Sequence, residues 1–223
     1  VVYAGGDDVL ALLPVHTAVD CAAALAAAIG VALAGYGPPT FSVGLAIVHH
    51  LEPLEDALAL ARRAERAAKE VDGDDAVDGK NALAVALDKR SGAPRLVAGH
   101  WGALDRRLLA LAALHQAGAI PDRLAYQLLD SYHLLGGARA LAANPALGEI
   151  LALEAGRLVK RKRDAGGQTL SAGGTEQIVR QAVADAGAIA AAADELVIAA
   201  LLAKVNTLAG RAYPLPTPEG TPS

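Results

Sequence analysis

The sequence predicts an α+β domain at the start of the chain, followed by an all-helical domain. In residues 1–92, β-rich apolar runs alternate with helical patterns, whereas helical patterns follow one another from residue 93 to residue 212. A turn of two glycines and two aspartates joins the first two apolar runs. The Pro-rich stretch 213–223 is predicted to be a disordered tail.

The opening runs predict a β-hairpin whose tip is Gly5-Gly6-Asp7-Asp8. The flanking Val, Leu and Tyr residues favour strands, and the glycines permit positive φ in the turn. Two adjacent carboxylates repel each other, and a divalent cation offsets that repulsion; their hard oxygens favour Mg²⁺ or Mn²⁺. Because Gly-Gly-Asp is also an ordinary turn sequence, the neighbouring elements must decide between these interpretations.

A helix is predicted to follow over residues 17–29, with a buried stripe of Ala18, Cys21, Leu25 and Ile29. Cys21 is the only cysteine, which excludes a disulfide or a cysteine-based zinc site within this chain. A buried thiol agrees with a reducing cytoplasm, where we expect the protein to be located.

Residues 40–49 predict a strand with two different faces. Ser42, Gly44 and Ala46 place a row of small side chains on one face. Such a row either receives a tightly packed helix or leaves room for a ligand. The spacing leaves both interpretations open.

Pro53 predicts the start of a second helix that runs to about Glu70 and carries Lys69 in its last turn. A loop rich in carboxylates follows, and residues 81–88 predict another strand. The resulting order of elements predicts helices on one face of a mainly antiparallel sheet.

The second domain is predicted from four helical patterns and one aromatic anchor. Trp101 precedes the first helix and is expected to pack at the domain junction. We expect the Ala-rich last helix to expose an apolar face that docks a partner. The predicted helices span 104–117, 122–135, 145–164 and 176–208.

Charge and hydropathy restrict the possible partners. Residues 1–93 carry 13 acidic and 7 basic side chains, whereas residues 94–223 carry 11 and 13. The apolar run 22–36 is too short to cross a bilayer, and the run 186–203 is interrupted by charges, so we expect no membrane association. The absence of Met and the initial Val predict a fragment of a longer chain.

A carboxylate pair on a hairpin tip, a neighbouring strand of small residues and a lysine at a helix end together describe a nucleotidyl-transfer palm. Divalent ions held by carboxylates activate an attacking hydroxyl and neutralise the leaving pyrophosphate. A lysine can hold the outer phosphates. However, Lys69 also lies where the helix dipole favours a cation, four residues after an ion-pair partner, Glu65.

These motifs resemble those of the large palm-containing subunit of type III CRISPR RNA-guided effector complexes, with the Cmr branch most similar. The Gly-Gly-Asp-Asp turn alone is also similar to diguanylate cyclases, in which Glu and Phe stand where this chain has Asp8 and Val9. The segments that carry the resemblance are Val2–Pro14, Ser42–His50, Pro53-Leu54, Ala57-Leu58, Ala68-Lys69 and Lys89–Gly92.

The resemblance implies a partial ferredoxin-like palm of the nucleotidyl cyclase or polymerase type, which makes cyclic oligoadenylate from ATP once target RNA binds. It implies that Asp7 and Asp8 are catalytic and hold Mg²⁺ or Mn²⁺. It also implies nucleotide binding by Gly5, Gly6, Ser42, Gly44 and Lys69. The implied partners are guide RNA, target RNA and other subunits of the complex, including a small helical subunit.

The opening strand and helices of such a palm are not found in the sequence, so we expect the fragment to be inactive alone. Two alternatives remain open. The chain could be a non-catalytic scaffold of the same complex, or a diguanylate cyclase-like enzyme. A basic run at 157–163 fits either an RNA contact or a solvated helix face.

Overall fold

The computed structural model describes residues 2–6, 8–36, 40–71, 80–89, 92–164 and 174–216, with only the backbone at 162–164. The chain forms two compact units, residues 1–94 with 98–101 and residues 95–97 with 102–223. The first unit contains both strands and helices and the second is mainly helical, as predicted. The predicted boundary at 92/93 lies two residues before this division.

The first unit contains the hairpin strands, two helices and most of a three-stranded sheet, whose last strand is divided between the two units. The elements are β1 (Tyr3–Gly5), β2 (Asp8–Leu10), α1 (Val15–Leu33), a short 3-10 helix (Ala34–Tyr36), β3 (Val43–Ile47), α2 (Leu54–Lys69), β4 (Ala82–Leu87) and β5 (Arg95–His100). The three-stranded sheet has the order β3-β4-β5, and β1 and β2 form a separate two-stranded sheet.

β3 and β4 pair in parallel, with Val43 opposite Leu83 and Ile47 opposite Leu87. The prediction of an antiparallel arrangement is wrong for this pair. α2 connects the two strands, and a crossover helix returns the chain to the same end of the sheet, which makes the strands parallel. Every residue of β4 is buried, as expected for a parallel strand covered on both faces.

α2 packs closely on β3 because Gly44 has no side chain. A Cβ at Gly44 would overlap the backbone nitrogen of Glu65 and lie 2.6 Å from the carbonyl oxygen of Ala61. The buried residues of α2 are the small Ala64 and Ala68. The row of small side chains on β3 therefore receives a tightly packed helix at Gly44.

α1 buries a narrower face than predicted. Its buried residues are Ala18, Val19 and Ala22, whereas Leu25 is exposed. Cys21 is also exposed, so the prediction of a buried thiol is wrong. The stripe was misassigned because α1 is apolar on nearly all sides, and its sequence does not mark the face that packs on β3.

Among the described residues, one segment is long and apolar enough to cross a membrane by length and composition alone, namely Val15–Tyr36. The helix begins at Val15, so the prediction that this apolar run is too short is wrong. A core helix of a water-soluble protein has the same length and composition, so this finding is weak evidence for a membrane span. The expectation of no membrane association stays a prediction.

The strand β5 was not predicted. Arg95–His100 lies in the stretch interpreted as all-helical, and its Ala and Gly residues are weak strand formers. Directly after it, Trp101 donates a 2.7 Å hydrogen bond from Nε1 to the carbonyl oxygen of Phe41. Trp101 thereby fastens the segment that leads into β3.

The second unit is built around its last helix. Most of that helix is buried, including Leu196, Ile198 and Leu202, and both α3 and α4 pack against it. The helices are α3 (Leu104–Gln116), α4 (Leu124–Leu134), α5 (Gly137–Ala143), α6 (Ala146–Asp164), α7 (Gly174–Asp185) and α8 (Ile189–Leu208).

One predicted helix of the second unit is divided in two, and one helix was missed. The predicted helix 176–208 is two helices, α7 and α8, separated at Gly187, whose φ is +69°. Its expected exposed apolar face is wrong for α8, which forms the core of the unit. α5, which begins at Gly137, was missed because two adjacent glycines indicated a helix end.

The end of the described chain is held by α3. Gln116 donates to the carbonyl oxygen of Arg211 at 2.6 Å, and it accepts a 2.9 Å hydrogen bond from the amide of Tyr213. The predicted disordered tail begins at this tyrosine, and its residues 217–223 lie outside the described part of the chain.

A buried ion pair joins α3 to α8. Arg107 donates from Nε and Nη2 to the two carboxylate oxygens of Glu195, each at 2.7 Å. The side chains are 14% and 3% exposed. The hydrogen bonds to Glu195 raise the pKa of Arg107, so the guanidinium stays charged. Arg95 makes a second ion pair with Asp194 on the same helix.

Removing the arginine is expected to destabilise the second unit. Arg107→Met leaves the buried carboxylate of Glu195 without its partner, which costs about 3–5 kcal/mol of unfolding free energy at neutral pH. Urea denaturation followed by circular dichroism measures the loss.

The matched control removes both charges. The double variant Arg107→Met/Glu195→Leu is expected to recover most of the stability, because it leaves no buried charge without a partner. A loss of less than about 1 kcal/mol in Arg107→Met would contradict a desolvated pair.

Gly44→Ala is expected to push α2 away from β3 and destabilise the chain by about 1–3 kcal/mol. Gly30→Ala in α1 is the matched control, because a Cβ there meets nothing within 4 Å. That control is expected to be neutral or stabilising by up to about 1 kcal/mol. Equal effects of the two substitutions, measured as shifts in the urea midpoint, would show that no close contact exists at Gly44.

Candidate functional site

The hairpin places Gly5, Gly6 and Asp8 at its tip. β1 and β2 are antiparallel, with Tyr3 opposite Leu10 and Gly5 opposite Asp8, and Gly6 follows β1 in the connection. Gly6 has φ +63°, a conformation that favours glycine, and the prediction of a turn requiring glycine is confirmed there. Asp7 lies outside the described residues.

Asp8 begins β2 and is exposed. Within the described ranges its carboxylate has no ion pair and no side-chain hydrogen bond. An exposed carboxylate that lacks a cationic side chain fits a hard divalent cation in donor type. The described residues contain no group of three or more His, Cys, Asp or Glu that could hold a metal ion, so they supply only part of a ligand set.

Ser42 and Gly44 have partners within the fold. The Ser42 hydroxyl donates a hydrogen bond to the carbonyl oxygen of Lys80, which precedes β4. Gly44 lies against α2, as described above. Both contacts hold β3 to its neighbours. Their implied roles on the adenosine side of a nucleotide stay predictions.

Lys69 ends α2 and bonds to Glu65. Its Nζ lies 2.6 Å from Oε1 of Glu65, and the two side chains are 51% and 40% exposed. This contact is the ion pair that the four-residue spacing predicted. An exposed pair of this kind is worth less than about 1 kcal/mol, so a phosphate could replace Glu65 at small cost.

The predicted site residues therefore fall into two groups. Gly5, Gly6 and Asp8 lie on the hairpin. Ser42 directly precedes β3, Gly44 lies in β3, and Lys69 ends α2. One contact on the hairpin was not predicted, namely that of the Tyr3 ring, which lies over Gly5. Its signal in the sequence is the two-residue spacing, which places both on one face of a strand.

The basic run on α6 is partly paired. Arg157 donates to both carboxylate oxygens of Glu154, at 2.6 and 2.7 Å. These hydrogen bonds lower the pKa of Glu154 and raise that of Arg157. Lys160 and Arg161 are exposed, and the side chains of residues 162 and 163 lie outside the description.

Comparison with known proteins finds a match in the first part of the chain. Residues 1–84 match the family model "Cas10/Cmr2, second palm domain". This segment contains the hairpin, β3 and α2. The match supports a resemblance to the large subunit of that family.

The chain is also similar to "CRISPR system Cmr subunit Cmr2" of Pyrococcus furiosus, with 35% identity over 138 residues. The match covers 57% of this chain and 15% of the length of that protein. No solved structure matches the chain significantly. The predicted resemblance to the Cmr-branch large subunit and the predicted α+β palm are confirmed.

Proposed function

We propose that the chain is part of the large subunit of a type III CRISPR RNA-guided effector complex, and that its palm converts ATP into cyclic oligoadenylate when target RNA binds. The observation that carries the proposal is a hairpin tip with Gly5, Gly6 and Asp8 of the Gly-Gly-Asp-Asp sequence, inside the matched palm segment. The exposed carboxylate of Asp8, with no cationic partner among the described residues, supports a role in cation binding.

In this proposal Asp7 and Asp8 hold Mg²⁺ or Mn²⁺. The cation, when bound, lowers the pKa of the attacking hydroxyl and neutralises charge on the leaving pyrophosphate. Gly6 adopts the left-handed conformation that the turn requires. As a glycine it also has no side chain that could obstruct the nucleotide. The hydroxyl of one ATP attacks the α-phosphate of the next in line, and pyrophosphate leaves.

Lys69 is proposed to leave Glu65 and bind the outer phosphates. Its 51% exposure allows this exchange, and its ammonium can follow the phosphates as a flexible point charge. Ser42 and Gly44 are proposed to line the adenosine side of the nucleotide site. This part of the proposal rests on the family resemblance alone.

The proposed assembly includes guide RNA, target RNA, a small helical subunit and other subunits of the complex. Its support is the similarity to a protein named as a Cmr subunit. A cytoplasmic location and the absence of membrane association complete the proposal.

The aspartates are tested in the complete subunit assembled with its complex, guide RNA, target RNA, ATP and Mg²⁺. Asp7→Asn and Asp8→Asn are each expected to lower oligoadenylate synthesis at least 100-fold, because each removes a charged ligand without changing side-chain size. Chromatography with mass spectrometry of the products measures the rate and identifies the nucleotide ring.

Asp56→Asn is the matched control. Asp56 is an exposed aspartate in the first turn of α2, outside the hairpin, and its substitution removes the same charge. It is expected to leave product formation unchanged. Undiminished product from the double variant Asp7→Asn/Asp8→Asn would overturn the catalytic proposal.

Substitutions of Lys69 and Glu65 distinguish a role in phosphate binding from a role in the ion pair between them. Lys69→Ala is expected to raise the KM for ATP about tenfold, because one charge-assisted contact with phosphate is lost. Glu65→Gln breaks the same ion pair but retains the ammonium group of Lys69, so its KM for ATP is expected to stay unchanged or fall. Similar small changes of KM in both variants would indicate that Lys69 only stabilises α2 and does not bind the nucleotide.

A non-catalytic scaffold is the second candidate function. The observation that favours it is that Ser42, Gly44 and Lys69 all have partners within the fold. Normal capture of target RNA without any nucleotide product would support the scaffold. Product from GTP alone, without RNA, would instead support the diguanylate cyclase-like alternative.

A further inference from the structure

The aromatic ring next to the hairpin tip occupies the space that a side chain at Gly5 would need. A Cβ on Gly5 would lie 2.5 Å from the hydroxyl oxygen of Tyr3 and 2.9 Å from its Cζ. The φ of Gly5 is not in the left-handed region, so its backbone does not require glycine. The contact with Tyr3 supplies a separate reason for a glycine at this position.

The Tyr3 hydroxyl lies on the same hairpin face as the Asp8 carboxylate. Tyr3 and Gly5 are two residues apart on β1 and share a face, and Gly5 is directly opposite Asp8 in the ladder. Directly opposed Cβ positions are about 4.5–5.5 Å apart, which places the hydroxyl within about 8 Å of the Asp8 Cβ. The phenol therefore reaches along β1 toward the tip.

The phenol has an unused donor. Within the described part of the chain its hydroxyl makes no hydrogen bond, and the side chain is 56% exposed. A ring that folds back over a glycine, with its hydroxyl near an aspartate, can donate to an acceptor bound at the tip. The acceptors of a nucleoside triphosphate nearest to a cation are its phosphate oxygens.

We infer that the Tyr3 hydroxyl donates a hydrogen bond to a phosphate oxygen of the nucleotide held at Asp8, and that Gly5 leaves the room for it. This inference rests on the proposed function and adds a binding residue to that site. A neutral phenol suits this position, because it stabilises phosphate charge without competing for the cation that the carboxylate binds. Tyr3 contacts the nucleotide, whereas Gly5 acts through Tyr3 as a positioning residue.

The test is a double-mutant cycle on nucleotide affinity. In the complete complex, the dissociation constant of a non-hydrolysable ATP analogue with Mg²⁺ is measured for Tyr3→Phe, Gly5→Ala and the double variant. Each single substitution is expected to weaken binding about tenfold, since a hydrogen bond to a charged group is lost. The double variant is expected to be no weaker than either single one, because both remove the same contact.

Tyr36→Phe is the matched control, since that tyrosine is 90% exposed and lies outside the hairpin. It is expected to bind the analogue like the unchanged protein. Unfolding midpoints of the two single variants are expected to match that control, which separates lost nucleotide contact from lost folding.

Two results would overturn the inference. One is unchanged analogue affinity in Tyr3→Phe, and the other is full additivity of the two substitutions. If Asp7→Asn and Asp8→Asn abolish synthesis while Tyr3→Phe binds normally, the role of Tyr3 fails and the proposed function stands. If the unchanged complex binds no ATP analogue at all, both fail.

Discussion

The contact between Gly44 and α2 is the constraint on which the first unit depends. Only a residue without a side chain lets the helix backbone lie directly on β3. The same helix then returns the chain so that β4 pairs in parallel with β3 and is buried along its whole length. Lys69 owes its position to this packing, because it ends the helix that Gly44 admits.

The hairpin has less packing to stabilise it than β3 and α2 have, because its backbone ladder is short and its side chains are largely exposed. Val2 and Val9 are 61% and 48% exposed, and the described ladder contains three residue pairs. A two-stranded hairpin of this size is marginally stable in isolation. The left-handed backbone of Gly6 and the ring of Tyr3 over Gly5 therefore contribute more to the conformation of the tip than they would inside a packed sheet.

The sequence predicted features that depend on local chemistry and missed those that depend on tertiary contacts. Pro53 and the helical period marked α2, and glycine spacing marked the hairpin turn. The partner of the Ser42 hydroxyl lies 38 residues away at Lys80, and no local pattern identifies it. The exposure of Cys21 was mispredicted for a related reason, since an apolar helix does not show which of its faces is covered.

The two glycines of the motif can be distinguished by what each one prevents. At Gly6 a side chain would be strained by the backbone, whose φ is +63°. At Gly5 the backbone accepts any residue, but a Cβ meets the phenol of Tyr3. The first glycine leaves room for the phenol of Tyr3, whereas the second supplies the left-handed turn. A side chain at position 5 would therefore displace the Tyr3 ring, which lies on the hairpin face that Asp8 shares.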